Sequence, residues 1–459
     1  MARIRMSDRV FLALESATTP QHVALLATFG LPAGAEPGRY TQRLFQRIND
    51  APVAAPFTFR SRHARRWAFD GTWEELAPEN VDRTYHLRRS ALPAPGGERE
   101  LTDLVSRLHS RPLDPTRPLW ECYVIEGLAN HRFALYFKVH HALMDGLGVQ
   151  QRLRRMLSTD PQDEEPHPLW SGGGPVDGTA GASGTTVRRL AVSALGIGKA
   201  AGTMVRGARD MTDHARAVPF MIPRSPLNAA VGRQRLVITR SYDLDRFRMM
   251  AKAADATIND VLLSVCGGAL RRCLAAARAL PVRSLTAGTP VSTRAAGDTT
   301  TANSFAMTVM SLGTDVEDPL ERLRTVARSS ALAKRELGEL ARGATGLYGA
   351  LFTWPFVAQN ALGLAGATRP PYNIVVSNIT GSPQPMYFAG CRLESIYPLG
   401  SVCHGVGLFI AAHSLCGRLN LCLVGDRALL APLEGLQRQL SEEVDRLEQA
   451  VGTPVGSAQ

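Results

Sequence analysis

The chain predicts a mixed α/β protein in two domains, and three observations carry that prediction. Its 459 residues are several times the commonest single-domain length. Strand-like and helix-like segments alternate through both halves. A stretch rich in Pro, Gly and Ser, from Asp160 to about Gly184, separates the halves and contains four prolines and the cluster Ser171-Gly172-Gly173-Gly174-Pro175. The expected division is an N-terminal domain over 1–160, a linker over 161–233 and a C-terminal domain over 234–459.

In chain order, Ala24 to Phe29 reads as a strand closed by Gly30 and Pro32. Arg99 to His109 reads as a helix, with Leu101, Leu104, Val105 and Leu108 on one side. Trp120 to Ile125 and Arg132 to Val139 read as two strands of a hairpin, the turn running through Gly127 and Asn130. Gln150 to Leu157 begins another helix. Val187 to Ala208 can be drawn as an amphipathic helix with Arg188, Lys199 and Arg206 on one face. Such a helix suits an anionic membrane surface or packing on the protein's own surface. Further on, Gln234 to Leu244 reads as a strand and Leu244 to Ala254 as a short helix. A long apolar helix follows from Thr257 to Leu280, with Asp255 or Thr257 as its N-cap. Leu320 to Leu340 and Leu436 to Val451 read as amphipathic helices. Strands are expected at Asn303 to Leu312, Tyr372 to Asn378, Gly405 to Ser414 and Arg418 to Val424. No charged residue falls between Arg342 and Arg369, a length that could cross a bilayer. Pro355, Gln359, Asn360 and several glycines argue instead for a buried or membrane-contacting hairpin.

Hydrophobic residues make up 45% and charged residues 20%, which excludes a disordered or fibrous chain. Lys and Arg number 52 against 41 Asp and Glu, a net charge of +11. That charge suits nucleic acid, an acidic membrane surface or a phosphorylated cofactor without choosing among them. The seven cysteines include no Cys-x-x-Cys pair, so neither a disulfide framework nor a zinc site is indicated, and they read as reduced core thiols of a cytosolic protein. The apolar run Val10 to Leu14 is too short for a signal core and stops at Glu15.

The sharpest chemical feature is His140-His141-Ala142-Leu143-Met144-Asp145-Gly146, directly after the strand that ends at Val139. A strand end is a rigid support from which side chains reach into a cleft. Histidine takes and returns a proton near neutral pH. Asp145 stands four residues beyond His141, within reach after one helical turn, and Gly146 allows close backbone approach. Taken alone, adjacent histidines also fit a structural role, one of them buried and hydrogen-bonded. The sequence has no Gly-x-Ser-x-Gly elbow, no phosphate loop and no His-Glu-x-x-His site. Arg60, Arg62, Arg65 and Arg66 near Trp67 form a basic patch that reads as a solvated loop, since no nucleic-acid module surrounds it.

The heptapeptide matches the His-His-x-x-x-Asp-Gly motif of CoA-dependent acyltransferases, and the whole chain resembles the bacterial wax ester synthase/acyl-CoA:diacylglycerol acyltransferase family. The segments that carry this are Met6 to Leu12 with Glu15 and Pro20-Gln21-His22, and Arg117-Pro118-Leu119-Trp120-Glu121. Arg132 to Lys138, Thr257-Ile258-Asn259-Asp260-Val261, and Pro290-Val291-Ser292 with Arg294 continue it, followed by Asp318 to Leu323 and Val376-Ser377-Asn378. The chain departs from the family pattern at three places. Ile379-Thr380-Gly381-Ser382 stands where Val-Pro-Gly-Pro is usual, Cys403-His404-Gly405 where Asp-Gly is usual, and Phe409 where Asn is common. These departures are expected to lie away from the histidine motif and to bear on substrate preference.

The resemblance implies two chloramphenicol acetyltransferase-like domains, each a mixed sheet flanked by helices, with the active-site channel between them. It implies transfer of a long-chain acyl group from acyl-CoA, the co-substrate, to a fatty alcohol or diacylglycerol. No permanently bound cofactor and no metal is expected. His141 is the implied base, with His140, Asp145 and Gly146 holding the loop. Asn259 and Asn378 are oxyanion or substrate-orienting candidates, Asn259 fitting a helix cap or interdomain hydrogen bond equally well. Arg294, Asp260 and Trp120 are structural supports, Arg294 being the partner guessed for Asp145. The expected location is cytoplasmic, peripheral to the inner membrane face or lipid inclusions, with no nucleic-acid partner. Three alternatives stand beside this reading: a condensation-type enzyme with a carrier-bound donor, a non-catalytic lipid-coating protein, and a nucleic-acid binder suggested by charge alone.

Overall fold

The structure, a computed structural model, describes residues 2–4, 6–53, 57–63, 72–144, 146–171, 213–292, 305–339, 355–433 and 435–452. Two six-stranded mixed sheets dominate it, and a small three-stranded sheet (Ala2–Arg3, Thr72–Glu75, Ser61–His63) sits beside them. The first large sheet runs, in spatial order, Tyr387–Phe388, Cys391–Leu399, His22–Gly30, Arg132–His140, Trp120–Leu128 and Leu87–Ala91. The second runs Phe305–Ser311, Thr286–Ser292, Ile374–Ile379, Leu408–Leu415, Arg418–Asp426 and Arg235–Asp243.

The expected hairpin forms, with Trp120 opposite Val139 and Tyr123 opposite Tyr136. Its turn takes positive φ at Gly127, Asn130 and His131, and Gly127 lies so close to Leu92 that a side chain there would crowd the Leu92 backbone. Six helices fall at Glu98–His109, Gly146–Met156, Leu244–Ala253, Ile258–Ala276, Pro319–Glu339 and Leu436–Gly452, close to their predicted spans, while Met6–Leu14 and Pro37–Asp50 are helices the sequence reading did not include. Thr257 caps the helix Ile258–Ala276 reciprocally with Asp260, which resolves the choice between Asp255 and Thr257.

The strand Arg132–His140 is buried on both faces. Phe133, Leu135, Phe137 and Val139 pack beneath the helices Pro37–Asp50 and Gly146–Met156. Ala134 and Tyr136 face the second sheet, in a cluster that joins Leu26, Tyr397 and Leu399 to Val237, Cys422 and Val424. Burying such side chains contributes about 1.5–3 kcal/mol each, which holds the two sheets together. Because side chains alternate along a strand, Lys138 and His140 continue this inter-sheet row. Lys138 is buried there, salt-bridged to Glu121 at 3.3 Å and donating to the carbonyls of Leu108 and Arg111. The helix Glu98–His109 fills the seam, where Ser106 and Ser110 accept from the backbone N–H groups of Val237 and Arg235.

Residues 387–399 lie on the first sheet although the chain has already built most of the second. The pattern gave little warning of this, because Pro398 and a register shift between Leu393 and Ser395 interrupt the alternation. The strand Thr286–Ser292 was similarly masked by Gly288 and Pro290, and at Gly288 a side chain would strike the Tyr372 ring.

The basic amphipathic helix expected over 187–208 lies outside the described residues. Of the uncharged stretch, the described part is a short helix over 355–361 and a loop whose Leu362 and Leu364 are exposed, not a buried hairpin. No helix among the described residues is long and apolar enough to cross a membrane. The seven cysteines are unpaired thiols. Arg60 and Arg62 form ion pairs with Glu75 and Glu74 across the small sheet, while Arg65 and Arg66 lie outside the described residues.

Candidate active site

The strand Arg132–His140 ends where its hydrogen bonding passes to a turn. The carbonyl of His140 accepts from the N–H groups of Leu143 and Met144 at 2.9 and 3.3 Å. The His140 N–H donates to Leu119, the residue before Trp120. Trp120 itself is buried, donates its indole N–H to the Phe59 carbonyl and stacks on His86 and Trp170. This packing anchors the strand edge that presents the histidines.

His140 is buried, and its Nδ1 accepts from the Ala142 N–H at 3.0 Å. With Nδ1 accepting, the ring proton sits on Nε2. Nε2 faces Glu15 Oε2 at 3.3 Å, and the same carboxylate oxygen accepts from the Gln21 N–H. Gln21 in turn accepts the His141 N–H at 2.8 Å. The loop 15–21 is therefore bonded to both histidines of the motif.

His141 is half-buried, and its ring stacks on Phe11 with centroids 3.8 Å apart and planes 10° apart. Burial pushes its pKa from the ordinary 6.5 down to about 4, with the neighbouring His140 adding to the depression and its own backbone carbonyl opposing it. Nδ1 is buried and has no other hydrogen-bond partner among the described residues. The imidazole is consequently neutral at pH 7.

Residues of the second sheet and its loops grip the same loop. The His404 imidazole bridges the Val231 N–H, which Nδ1 accepts at 3.0 Å, and the Thr18 hydroxyl, 3.2 Å from Nε2. Gln21 Nε2 donates to Cys403 Sγ at 3.7 Å. Arg235, buried and facing Asp426 at 3.6 Å, donates to the Thr18 carbonyl. The expectation that Cys403 and His404 stand away from the histidine motif is thus overturned. The loop after the strand Cys391–Leu399 returns beside Thr18 and Gln21, which sequence distance concealed. A second departure also reaches the motif side: the Thr380 carbonyl accepts from Gln150 on the helix Gly146–Met156 at 2.9 Å.

Gly146 opens that helix. Asp145 and Arg294, and hence their suggested pairing, lie outside the described residues. Asn259 is half-buried at the second position of the helix Ile258–Ala276, one residue before the capping Asp260. Asn378 is exposed near the end of the strand Ile374–Ile379. Alternation places it on the face of Ile374 and Val376, with Ser377 on the inter-sheet face. No group of three or more His, Cys, Asp or Glu side chains suited to a metal occurs among the described residues. A narrow apolar recess lies beneath the first sheet between Leu25, Ile48, Phe137, Met156, Trp170 and Phe388, on the opposite face from His140.

Sequence reasoning did not assign roles to Phe11, Glu15, Gln21 or Thr18. One signal was present: Glu15 places a carboxylate directly after an apolar helical run.

Comparison with known proteins finds matches along most of the chain. Residues 4–262 match the wax ester synthase/diacylglycerol acyltransferase catalytic domain, and residues 301–448 match the WS/DGAT C-terminal domain. A probable diacylglycerol O-acyltransferase of Mycobacterium tuberculosis is 36% identical, covering 97% of this chain and 98% of that protein. The solved wax ester synthase/diacylglycerol acyltransferase from Marinobacter aquaeolei VT8 superposes with a TM-score of 0.78 at 31% identity, covering 99% of this chain and 100% of its own. A starter condensation domain of rhizomide synthetase, solved with C8-CoA and Leu-SNAC, shares the fold at a TM-score of 0.56 and 16% identity, covering 98% of this chain and 94% of its own.

Proposed function

From the premise that the chain belongs to the wax ester synthase/diacylglycerol acyltransferase family, and is an acyltransferase, we propose how it works and on what. The donor is a long-chain acyl-CoA and the acceptor the hydroxyl of a fatty alcohol, a diacylglycerol, or both. The observation that carries this reading is His141: a neutral imidazole at a strand end, fixed by Phe11 and Gln21 where the two sheets meet.

With the Nδ1 proton turned toward its own carbonyl, Nε2 is the free base. It takes the acceptor hydroxyl proton as the oxygen attacks the thioester carbonyl carbon. The tetrahedral intermediate then collapses, the carbon–sulfur bond breaks, and the departing CoA thiolate takes the proton back from Nε2. The products are an oxygen ester and free CoA, with no covalent enzyme intermediate. General base catalysis supplies about 10²–10⁴-fold of such a rate, and orientation and oxyanion stabilisation supply the rest. His140 acts as a positioning residue through Glu15. Asn259 is the amide candidate for the oxyanion, since Asn378 stands on the face of Ile374 and Val376, turned from the first sheet. The start of a 19-residue helix beside Asn259 adds a favourable dipole.

We take the chain as two units, one on each large sheet, joined across 161–233, with residues 387–399 lent to the first sheet. The chain is placed at the surface of a membrane or lipid inclusion, where such acceptors reside.

The deciding experiment incubates purified protein with palmitoyl-CoA and either hexadecanol or a diacylglycerol. Neutral lipid and released thiol should appear in equal amounts, and the His141→Ala protein should make neither while retaining its unfolding transition. Wild-type rates in that variant would sink the mechanism. Turnover only with an acyl group on a phosphopantetheinylated carrier would replace the proposed donor.

A further inference from the structure

The loop following the short helix over 355–361 is built to keep its backbone satisfied and its side chains apolar. The Gln359 carbonyl accepts from Leu364 and Ala365 at 2.8 and 3.0 Å, and the Leu364 carbonyl accepts from Ala367 and Thr368 at 3.1 and 3.0 Å. The Thr368 hydroxyl donates to that same Leu364 carbonyl. Gly363 and Gly366 take positive φ, and Gly366 sits against the Ala229–Ala230 backbone with no space for a side chain. On this fixed turn Leu362 is 71% exposed and Leu364 45% exposed, with Ala361 and Ala367 exposed beside them. Isolated exposed leucines need no explanation, but two on one preformed tip do.

We propose that this tip is the site at which the protein docks on an anionic lipid surface, Leu362 and Leu364 entering the boundary between headgroups and acyl chains. Charge complementarity favours that occupant. No Asp or Glu occurs between Glu339 and Glu394, exposed Arg369 follows the tip, and the whole chain carries +11. Backbone groups already bonded within the turn lose little on leaving water, which a less regular loop could not achieve. A contact of two leucines and Arg369 is weak and reversible, as suits a protein that must release a lipid product.

Placement links the tip to the chemistry. Val357, on the helix that carries the tip, packs against Val10 and Leu14. Those residues belong to the helix Met6–Leu14, whose Phe11 stacks on His141. The helix that carries the tip therefore packs directly on the helix whose Phe11 holds the proposed base. This link to the chemistry rests on the acyltransferase reading; the docking itself does not.

The test is co-sedimentation with phosphatidylcholine vesicles, with and without phosphatidylglycerol, measured without turnover. Wild-type protein should partition onto the anionic vesicles. The doubly substituted L362D/L364D protein should bind them about tenfold or more weakly, as expected for losing burial of two leucines. Its turnover of palmitoyl-CoA with a short, water-soluble alcohol should match wild type, which also shows that it is folded. L362W should show a blue shift in tryptophan emission on anionic vesicles. Equal partitioning of wild type and the double variant would overturn the proposal, as would failure of wild type to sediment. A change confined to self-association in sedimentation velocity would overturn it in favour of a contact between copies. Vesicle binding without any acyl transfer would instead retire the catalytic reading and leave the docking site standing.

Discussion

Glu15 and His140 meet at 3.3 Å, carboxylate Oε2 to imidazole Nε2, and so tie the residue after the first helix to the last residue of the strand Arg132–His140. The same oxygen holds the Gln21 N–H, and Gln21 holds the His141 N–H. One carboxylate thus sets the tautomer of the first histidine and the backbone seat of the second. Glu15→Gln preserves shape but removes the charge that orients both. A hydrogen bond to a charged group is worth roughly 1.5–3 kcal/mol, so kcat should fall about 10- to 100-fold. KM for acyl-CoA should hold within error, because the carboxylate is not proposed to touch substrate. An unchanged kcat in steady-state assays would remove Glu15 from the positioning role.

The acidity of His141 gives a second expectation. A base must be unprotonated to act, and burial lowers this imidazole to about 4. The acid limb of kcat/KM should therefore lie well below the ordinary 6.5, with activity lost only as pH falls through about 4 to 5. Phe11→Ala would hydrate the ring and raise its pKa, moving that limb upward toward 6.5. A pH–rate profile of the two proteins checks both statements. A limb that stays put in the Phe11 variant would contradict the assignment of the depression to burial.

Stability should also be acid-sensitive in a defined window. His86 is lowered to about 4, His109 to about 3 and His413 to about 4, in each case chiefly by burial. His22, whose Nε2 is 3.0 Å from the His109 carbonyl, is also lowered well below the ordinary 6.5, chiefly by burial. Each depressed group binds protons more readily in the unfolded chain. The contribution of His86, His109 and His413 is then complete above about 6.5, falls as pH drops, and levels off below about 3 once the folded groups titrate. Urea unfolding midpoints from pH 8 to 4 should decline along this course. His86→Gln should flatten the slope, and an identical slope would show that His86 does not contribute.

Much of this arrangement was legible in the sequence because its local signals agree. The alternation from Arg132 to Val139 and the turn through Gly127 and Asn130 both require the hairpin, and the hairpin delivers His140. The helix beyond Thr257 was legible from its apolar run, but its cap was not, since Asp255 and Thr257 fit the sequence equally until the Thr257–Asp260 bonds select one. Tertiary returns were not legible. Residues 391–399 reach the first sheet across a register shift and a proline, and the loop behind them brings Cys403 and His404 beside Thr18 and Gln21. Nothing periodic marks a contact of 386 residues' separation. Asn378 shows the opposite limit: its motif was readable, but only the register shows that Ser377 holds the inter-sheet face.

His404 supplies the last expectation. Its ring receives the Val231 N–H at Nδ1, so Nε2 carries the proton and donates it to the Thr18 hydroxyl at 3.2 Å. That bond crosses from the second sheet's loops to the segment that seats His141, and Arg235 reinforces it at the Thr18 carbonyl. His404→Ala removes both bonds from a half-buried position. The cost should be about 1 kcal/mol in stability and roughly 3- to 10-fold in kcat, since neutral hydrogen bonds contribute about 0.5–1.5 kcal/mol each. His404→Gln places an amide donor near the position of Nε2 and should recover part of kcat, whereas a merely space-filling role would be recovered equally well by His404→Leu. Equal rescue by Gln and Leu would deny the Thr18 bond any part in holding the catalytic loop.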